Sequence, residues 1–70
     1  MDRKGVQSTD IRSIGYEKET LTLEVEFWSG GIYLYYGVPE GVYQAFMHAV
    51  SKGSYFRRYI QGTYRFCRVG

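Results

Sequence analysis

The chain has 70 residues, 44% of them hydrophobic and 19% aromatic, with a formal net charge of +2. That length allows one small domain, and such a chain buries only roughly 60% of its unfolded surface. Its single cysteine, Cys67, excludes an intrachain disulfide, and no apolar run approaches the ~20 residues that span a bilayer.

Met1-Asp2-Arg3-Lys4-Gly5 has no apolar run behind it, so no signal peptide is expected and the protein reads as cytoplasmic. Residues 1–7 are polar and aperiodic and read as a flexible N-terminal tail, leaving 8–70 as the domain. Ser8 to Glu17 holds Ile11, Ile14 and Tyr16 and reads as a first strand, in which Gly15 signals a bulge or a close backbone approach. Glu17-Lys18-Glu19 is a charged turn. From Thr20 to Trp28, Leu21, Leu23, Val25 and Phe27 alternate with Thr22, Glu24, Glu26 and Trp28, a period of two that gives one buried and one wet face. Ser29-Gly30-Gly31 turns the chain back as a hairpin into a strand from Ile32 to Tyr36 with bulky residues on both faces.

Gly37 breaks that strand, and Pro39, with no N–H to donate, opens a helix that runs to Val50. Val42, Ala45, Phe46, Ala49 and Val50 supply its apolar stripe. Gly53 is expected to end this helix in the left-handed conformation, and Ser54 to cap a second helix over Tyr55–Gln61. Gly62 breaks the second helix, and Tyr64 to Val69 reads as a last strand. The order β-β-β-α-α-β predicts an α+β fold: a small antiparallel sheet, made of a three-stranded meander plus a last strand, with two helices on one face.

The net charge hides an asymmetry. Residues 1–40 carry four cations and seven carboxylates, whereas residues 41–70 carry Lys52, Arg57, Arg58, Arg65 and Arg68 and no acid. The second half therefore projects a positive field unless the acidic half folds over it. Its cations are interleaved with Tyr55, Tyr59 and Tyr64. Arginines grip phosphates bidentately and tyrosines stack on unpaired bases, so Lys52, Arg57, Arg58, Arg65, Arg68 and Tyr55 are candidate nucleic-acid-binding residues. The competing reading is an ordinary solvated surface, with Trp28, Tyr36 and Tyr43 exposed for contact with a protein partner or a second copy.

Catalytic and metal chemistry find little support. His48 and Cys67 are the only histidine and cysteine, their spacing suggests no nucleophile–base pair, and together they cannot complete a zinc site. Glu24 and Glu26 share a strand face, which fits a solvated surface better than acid–base catalysis. Ser51-Lys52-Gly53-Ser54 would set a lysine and two hydroxyls before a helix N-terminus, an anion-friendly place, but it reads better as an ordinary helix-to-helix turn with the lysine in solvent. No catalytic residue, cofactor or metal is expected.

Tyr33-x-Tyr35 followed by Val38-Pro39 resembles the KTSC domain family. So do Ile14-Gly15-Tyr16, Phe27 with Gly30-Gly31, Val42-Tyr43, Ala49-x-Ser51-x-Gly53-x-Tyr55-Phe56, Ile60 and Tyr64, a resemblance spanning residues 8–66. Arg57 departs from it, since a small polar residue is expected there. The family occurs at the C-terminus of some lysyl-tRNA synthetases and as stand-alone small proteins of bacteria and phages, and this chain resembles the stand-alone form. The resemblance implies no established site. It implies RNA as a candidate ligand through the synthetase context, and marks Tyr33, Tyr35, Val38, Pro39, Ser51 and Gly53 as shared residues. Their expected role is structural: the tyrosines pack on the main helix, Pro39 opens that helix and Gly53 ends it.

Overall fold

The computed structural model describes all 70 residues. Five strands form one antiparallel sheet in which spatial order follows chain order: β1 (Arg3–Gly5), β2 (Ile11–Glu17), β3 (Thr22–Phe27), β4 (Ile32–Tyr35) and β5 (Phe66–Arg68). Between β4 and β5 lie α1 (Glu40–His48), the short α2 (Lys52–Tyr55) and a single π-helical turn (Phe56–Ile60) that continues α2. The α+β class and the meander followed by helices and a last strand match expectation. The sheet has one strand more than the sequence suggested.

The additional strand is β1, in the segment read as a loose tail. Arg3 pairs with Gly15 and Gly5 with Ser13. Nothing apolar marks Arg3-Lys4-Gly5 as a strand, and charge and space hold it instead. Arg3 reaches Glu24 at 3.2 Å and Glu26 at 3.8 Å, and its Nε donates to Ser13 Oγ at 3.0 Å. Gly15 makes room, because a Cβ there would stand 2.8 Å from the Asp2 carbonyl oxygen. Gly15 is thus a close backbone approach. The bulge lies at Arg12, because Ile11 pairs with Phe27 and Ser13 with Glu26. That extra residue turns both Ile11 and Ile14, three apart, toward the core.

On β3 the alternation holds, with Leu23 and Val25 buried. Leu21, expected on the buried face, instead closes the preceding turn at φ 53° and is exposed. The core joins Ile11, Ile14, Leu23, Val25 and Tyr35 of the sheet to Val38, Phe46, Phe56 and Ile60. All helical contributions reach one face of the sheet.

The helices differ from expectation at their junction. Pro39 stands immediately before the first residue of α1, as expected, but α1 ends at His48 with Ala49 extended at ψ 137°. Val50 falls outside the helix and is fully exposed. Ser51, rather than Ser54, caps the second helix, its Oγ accepting the Ser54 N–H at 3.3 Å. Gly53 lies inside α2 and ends nothing. It is buried because Asp10 lies on it: a Cβ would stand 2.7 Å from Asp10 Oδ2. Gly62 stops the chain at φ 79°, where a glycine is needed.

Candidate functional site

Register decides what β4 and β5 present together. Val25 pairs with Tyr33 and Leu23 with Tyr35, so both tyrosines share the helix-bearing face of the sheet. Phe66 pairs with Tyr35 and Arg68 with Tyr33, placing a phenylalanine and an arginine beside them on that face. The Arg68 guanidinium lies over the Tyr33 ring, 5.9 Å from its centroid. Cys67 pairs with Leu34 and belongs to the opposite face, so the sheet stands between it and the helix that carries His48.

Of Tyr33 and Tyr35, both expected to pack on the main helix, Tyr35 does share the core with Phe46 of that helix, but the ring partners of both lie elsewhere. Tyr35 meets Phe56 of the π-turn edge-on at 5.5 Å and Phe66 at 5.9 Å, while Tyr33 meets Phe27 edge-on at 5.7 Å and Phe66 at 6.0 Å. The main helix instead stacks Tyr43 on Tyr16 at 4.6 Å. Tyr43, expected at the surface, is therefore half-buried, and the Tyr16 hydroxyl donates to the Val38 carbonyl. Burial, and secondarily the Glu40 charge, raises the pKa of Tyr16.

The β4–β5 rings line an open groove of about 340 Å³, floored by Tyr35 and Phe56 and walled by Phe27, Tyr33 and Phe66, with Ser29, Gln61 and Gly62 also lining it. Gly31 allows the arrangement, since the Tyr33 ring lies across it and a Cβ would come within 2.6 Å of Cε1. Phe66 is 61% exposed and offers a free aromatic surface. Burial, and then the neighbouring Tyr33, pushes the pKa of Tyr35 up to about 12.

The basic half divides. Arg57 pairs with Asp10 at 3.2 Å, and Lys52 turns back to donate to the Ala49 carbonyl at 3.1 Å. Arg58 rests near its neighbour Tyr59, 6.0 Å from the ring centroid. Arg68 donates to the Gly70 carbonyl at 2.8 Å, and Arg65 is exposed. Of the five cations, Arg57 alone is paired with an Asp or Glu side chain. The acidic strand face does not neutralise the rest, because Glu24 and Glu26 are taken by Arg3, and Glu26 also by Arg12 at 4.0 Å.

Tyr55 packs between Phe46, stacked at 5.6 Å, and Tyr59 at 4.7 Å, and its hydroxyl donates to the Val42 carbonyl at 3.4 Å. Burial, followed by Tyr59 and Tyr64, raises its pKa. Its ring is flanked by protein, and the exposed aromatic side chains are Trp28, Tyr36, Tyr59 and Phe66, of which Phe66 alone lines the groove. No group of three or more His, Cys, Asp or Glu side chains is placed to hold a metal ion. No helix is long and apolar enough to cross a membrane. Phe66 and the Arg68–Tyr33 contact escaped the sequence reading. The signal was there in two matching alternations, Tyr33-x-Tyr35 and Phe66-x-Arg68, whose register only the fold supplies.

Residues 7–64 match the family model described as the KTSC domain. The chain belongs to the KTSC domain family. This KTSC domain is 43% identical to a protein of Stutzerimonas stutzeri, covering 99% of each chain. It is 41% identical over 56 residues to a lysine–tRNA ligase of Nostoc punctiforme, matching 80% of this chain and only 10% of the ligase. The crystal structure of a KTSC domain protein from Yersinia pestis, 43% identical, superposes with a TM-score of 0.97 over 99% of this chain and 97% of that one. The sheet with helices on one face is therefore the architecture of the family.

Proposed function

We propose that this KTSC domain is a non-catalytic module that binds single-stranded RNA across β4 and β5. The observation that carries the reading is the Arg68 guanidinium over Tyr33, a ring that lines an open aromatic groove, with no Asp or Glu side chain paired to that arginine. Single-strand binders pair stacking surfaces with cations that track the backbone, and here Phe66 lies between Arg65 and Arg68 in the chain. The similarity to a segment of lysine–tRNA ligases supports the same ligand class. Fluorescence polarisation with short single-stranded RNA and with tRNA, at several salt concentrations, tests it. Binding should weaken with salt by a log–log slope of about −0.7 per neutralised phosphate. No binding at low salt overturns it.

A second reading, a protein-interaction or self-associating module, is favoured by the free outer edge of β5, where Phe66 and Val69 are exposed. Sedimentation over a wide concentration range tests self-association, and a strictly monomeric chain removes that form of it.

A further inference from the structure

Burial raises the pKa of three tyrosine hydroxyls in this fold, those of Tyr16, Tyr35 and Tyr55. Two are satisfied internally, Tyr16 by the Val38 carbonyl and Tyr55 by the Val42 carbonyl. Tyr35 is different. Its side chain is only 5% exposed, yet its hydroxyl makes no hydrogen bond to any protein atom. No polar atom sealed inside the molecule lacks a partner, so this hydroxyl is not sealed, and the space it lines is the aromatic groove. The ring is thus buried while its hydroxyl keeps a free donor at an open cleft, where a ligand that covered it would have to supply an acceptor.

We propose that the groove holds one unpaired nucleobase, stacked on Phe66 and Tyr33, with the Tyr35 hydroxyl donating to an acceptor on the base edge. This assignment rests on the RNA reading above and gives it a specific contact. The groove, at about 340 Å³, lies at the small end of the roughly 300–1,000 Å³ typical of ligand pockets, which suits a single planar ring. Phe66, more than half exposed, offers the stacking surface. An apolar protein side chain would fill the same volume but strand the Tyr35 hydroxyl away from water. A base brings ring nitrogens and carbonyl oxygens that accept its proton. Ser29 and Gln61 add polar groups to the lining. Arg68 stands over Tyr33, one of the rings lining the groove, where the phosphate of the stacked nucleotide is its natural partner.

The test compares a short mixed-sequence single-stranded RNA with an abasic ribose-phosphate oligomer of the same length, by fluorescence polarisation at low salt. The protein variants are wild type, Tyr35→Phe and Phe66→Ala. Tyr35→Phe keeps the ring and changes only the hydroxyl, and the exposed position of Phe66 keeps the fold intact. Wild type should bind the base-carrying RNA more tightly than the abasic oligomer. Tyr35→Phe should weaken binding of the base-carrying RNA about threefold to tenfold, the range of one hydrogen bond, and Phe66→Ala about tenfold or more. Both variants should hold the abasic oligomer as wild type does. Wild-type binding that is equal for the two oligomers, or unchanged on Tyr35→Phe, overturns the base site and leaves RNA binding standing. Failure of both oligomers to bind overturns the base site and the RNA reading together. Binding of a tryptophan-bearing peptide in their place would assign the groove to a protein partner and equally overturn it.

Discussion

Arg57 and Asp10 meet above Gly53. Nη1 and Oδ2 are 3.2 Å apart, and a Cβ on Gly53 would lie 2.7 Å from that carboxylate oxygen and 3.3 Å from that guanidinium nitrogen. The pair joins the segment before β2 to the π-turn, two places far apart in the chain. It also answers for the residue at which the sequence departs from the family pattern: Arg57 is turned toward an acid of its own fold.

The five cations of the second half should therefore separate by experiment. Arg57→Glu sets a second carboxylate beside Asp10. Both side chains are more than half exposed, so the cost is about 1 kcal/mol, or a fall in Tm of roughly 4–8 °C for a domain of this size. Arg58→Glu has no acid to offend and should leave Tm within about 2 °C of wild type, as ordinary surface changes do. If RNA binds, Arg58→Glu together with Arg65→Glu should weaken it and flatten its salt dependence. Thermal melts and polarisation titrations on the same samples decide. A double variant at 58 and 65 with wild-type affinity would remove those two arginines from the interface.

Gly15 and Gly53 are both close approaches, and they should respond differently to alanine. At Gly53 the obstacle is the end of a flexible side chain, and alanine also favours the helix, by up to about 1 kcal/mol. Gly53→Ala should fall within about 1 kcal/mol of wild type, since losing an exposed ion pair costs a similar amount. At Gly15 the obstacle is the backbone oxygen of Asp2 at 2.8 Å, with Arg3 Cγ at 3.1 Å. Gly15→Ala should lift β1 away and destabilise by about 1–3 kcal/mol. Amide exchange would report it directly, as faster exchange at Arg3–Gly5 with β3 and β4 protected as before. Equal protection of β1 in the two proteins would refute the argument.

Alkaline pH should destabilise the domain through its buried tyrosines. The Tyr35 hydroxyl, pushed up to about 12, holds its proton more tightly in the folded chain than in the unfolded one, where the ordinary value is 10.0. Its contribution is thus fully present below pH 10 and is lost as pH rises from there through 12. The loss is about 1–3 kcal/mol for a difference of this size. Tyr16 and Tyr55 are raised as well and act in the same direction. Urea midpoints measured between pH 8 and pH 11.5 should fall steadily above pH 10, and Tyr35→Phe should flatten part of that slope. A midpoint independent of pH over that interval would contradict it.

The parts of the fold legible in the sequence were those with strong local causes. Alternation identified β3, Pro39 the start of α1, and Gly62 the end of the second helical segment. What stayed illegible depended on distant atoms. β1 has no apolar pattern and exists because Gly15 leaves space and Glu24 and Glu26 attract Arg3. Ser51 and Ser54 are equally good caps locally, and in the fold Ser51 takes the role, leaving Gly53 inside the helix beneath Asp10. Composition pointed to the basic, tyrosine-rich half as the candidate site. Packing then committed Tyr55 and Arg57 to the protein itself and brought Phe66 and Arg68 beside the Tyr33-x-Tyr35 pair.

The order of strands has a consequence for how the molecule assembles. Four strands are joined to their neighbours by short turns, so β1 to β4 close small loops and should zip early and cheaply. β5 is the exception: it waits for residues 36–65 to fold before it can reach β4. Like β1 at the other edge, it has three exposed residues, and it should be among the first strands to peel away when the native state fluctuates. Phe66 rides on that strand, so each brief opening would take down one wall of the groove.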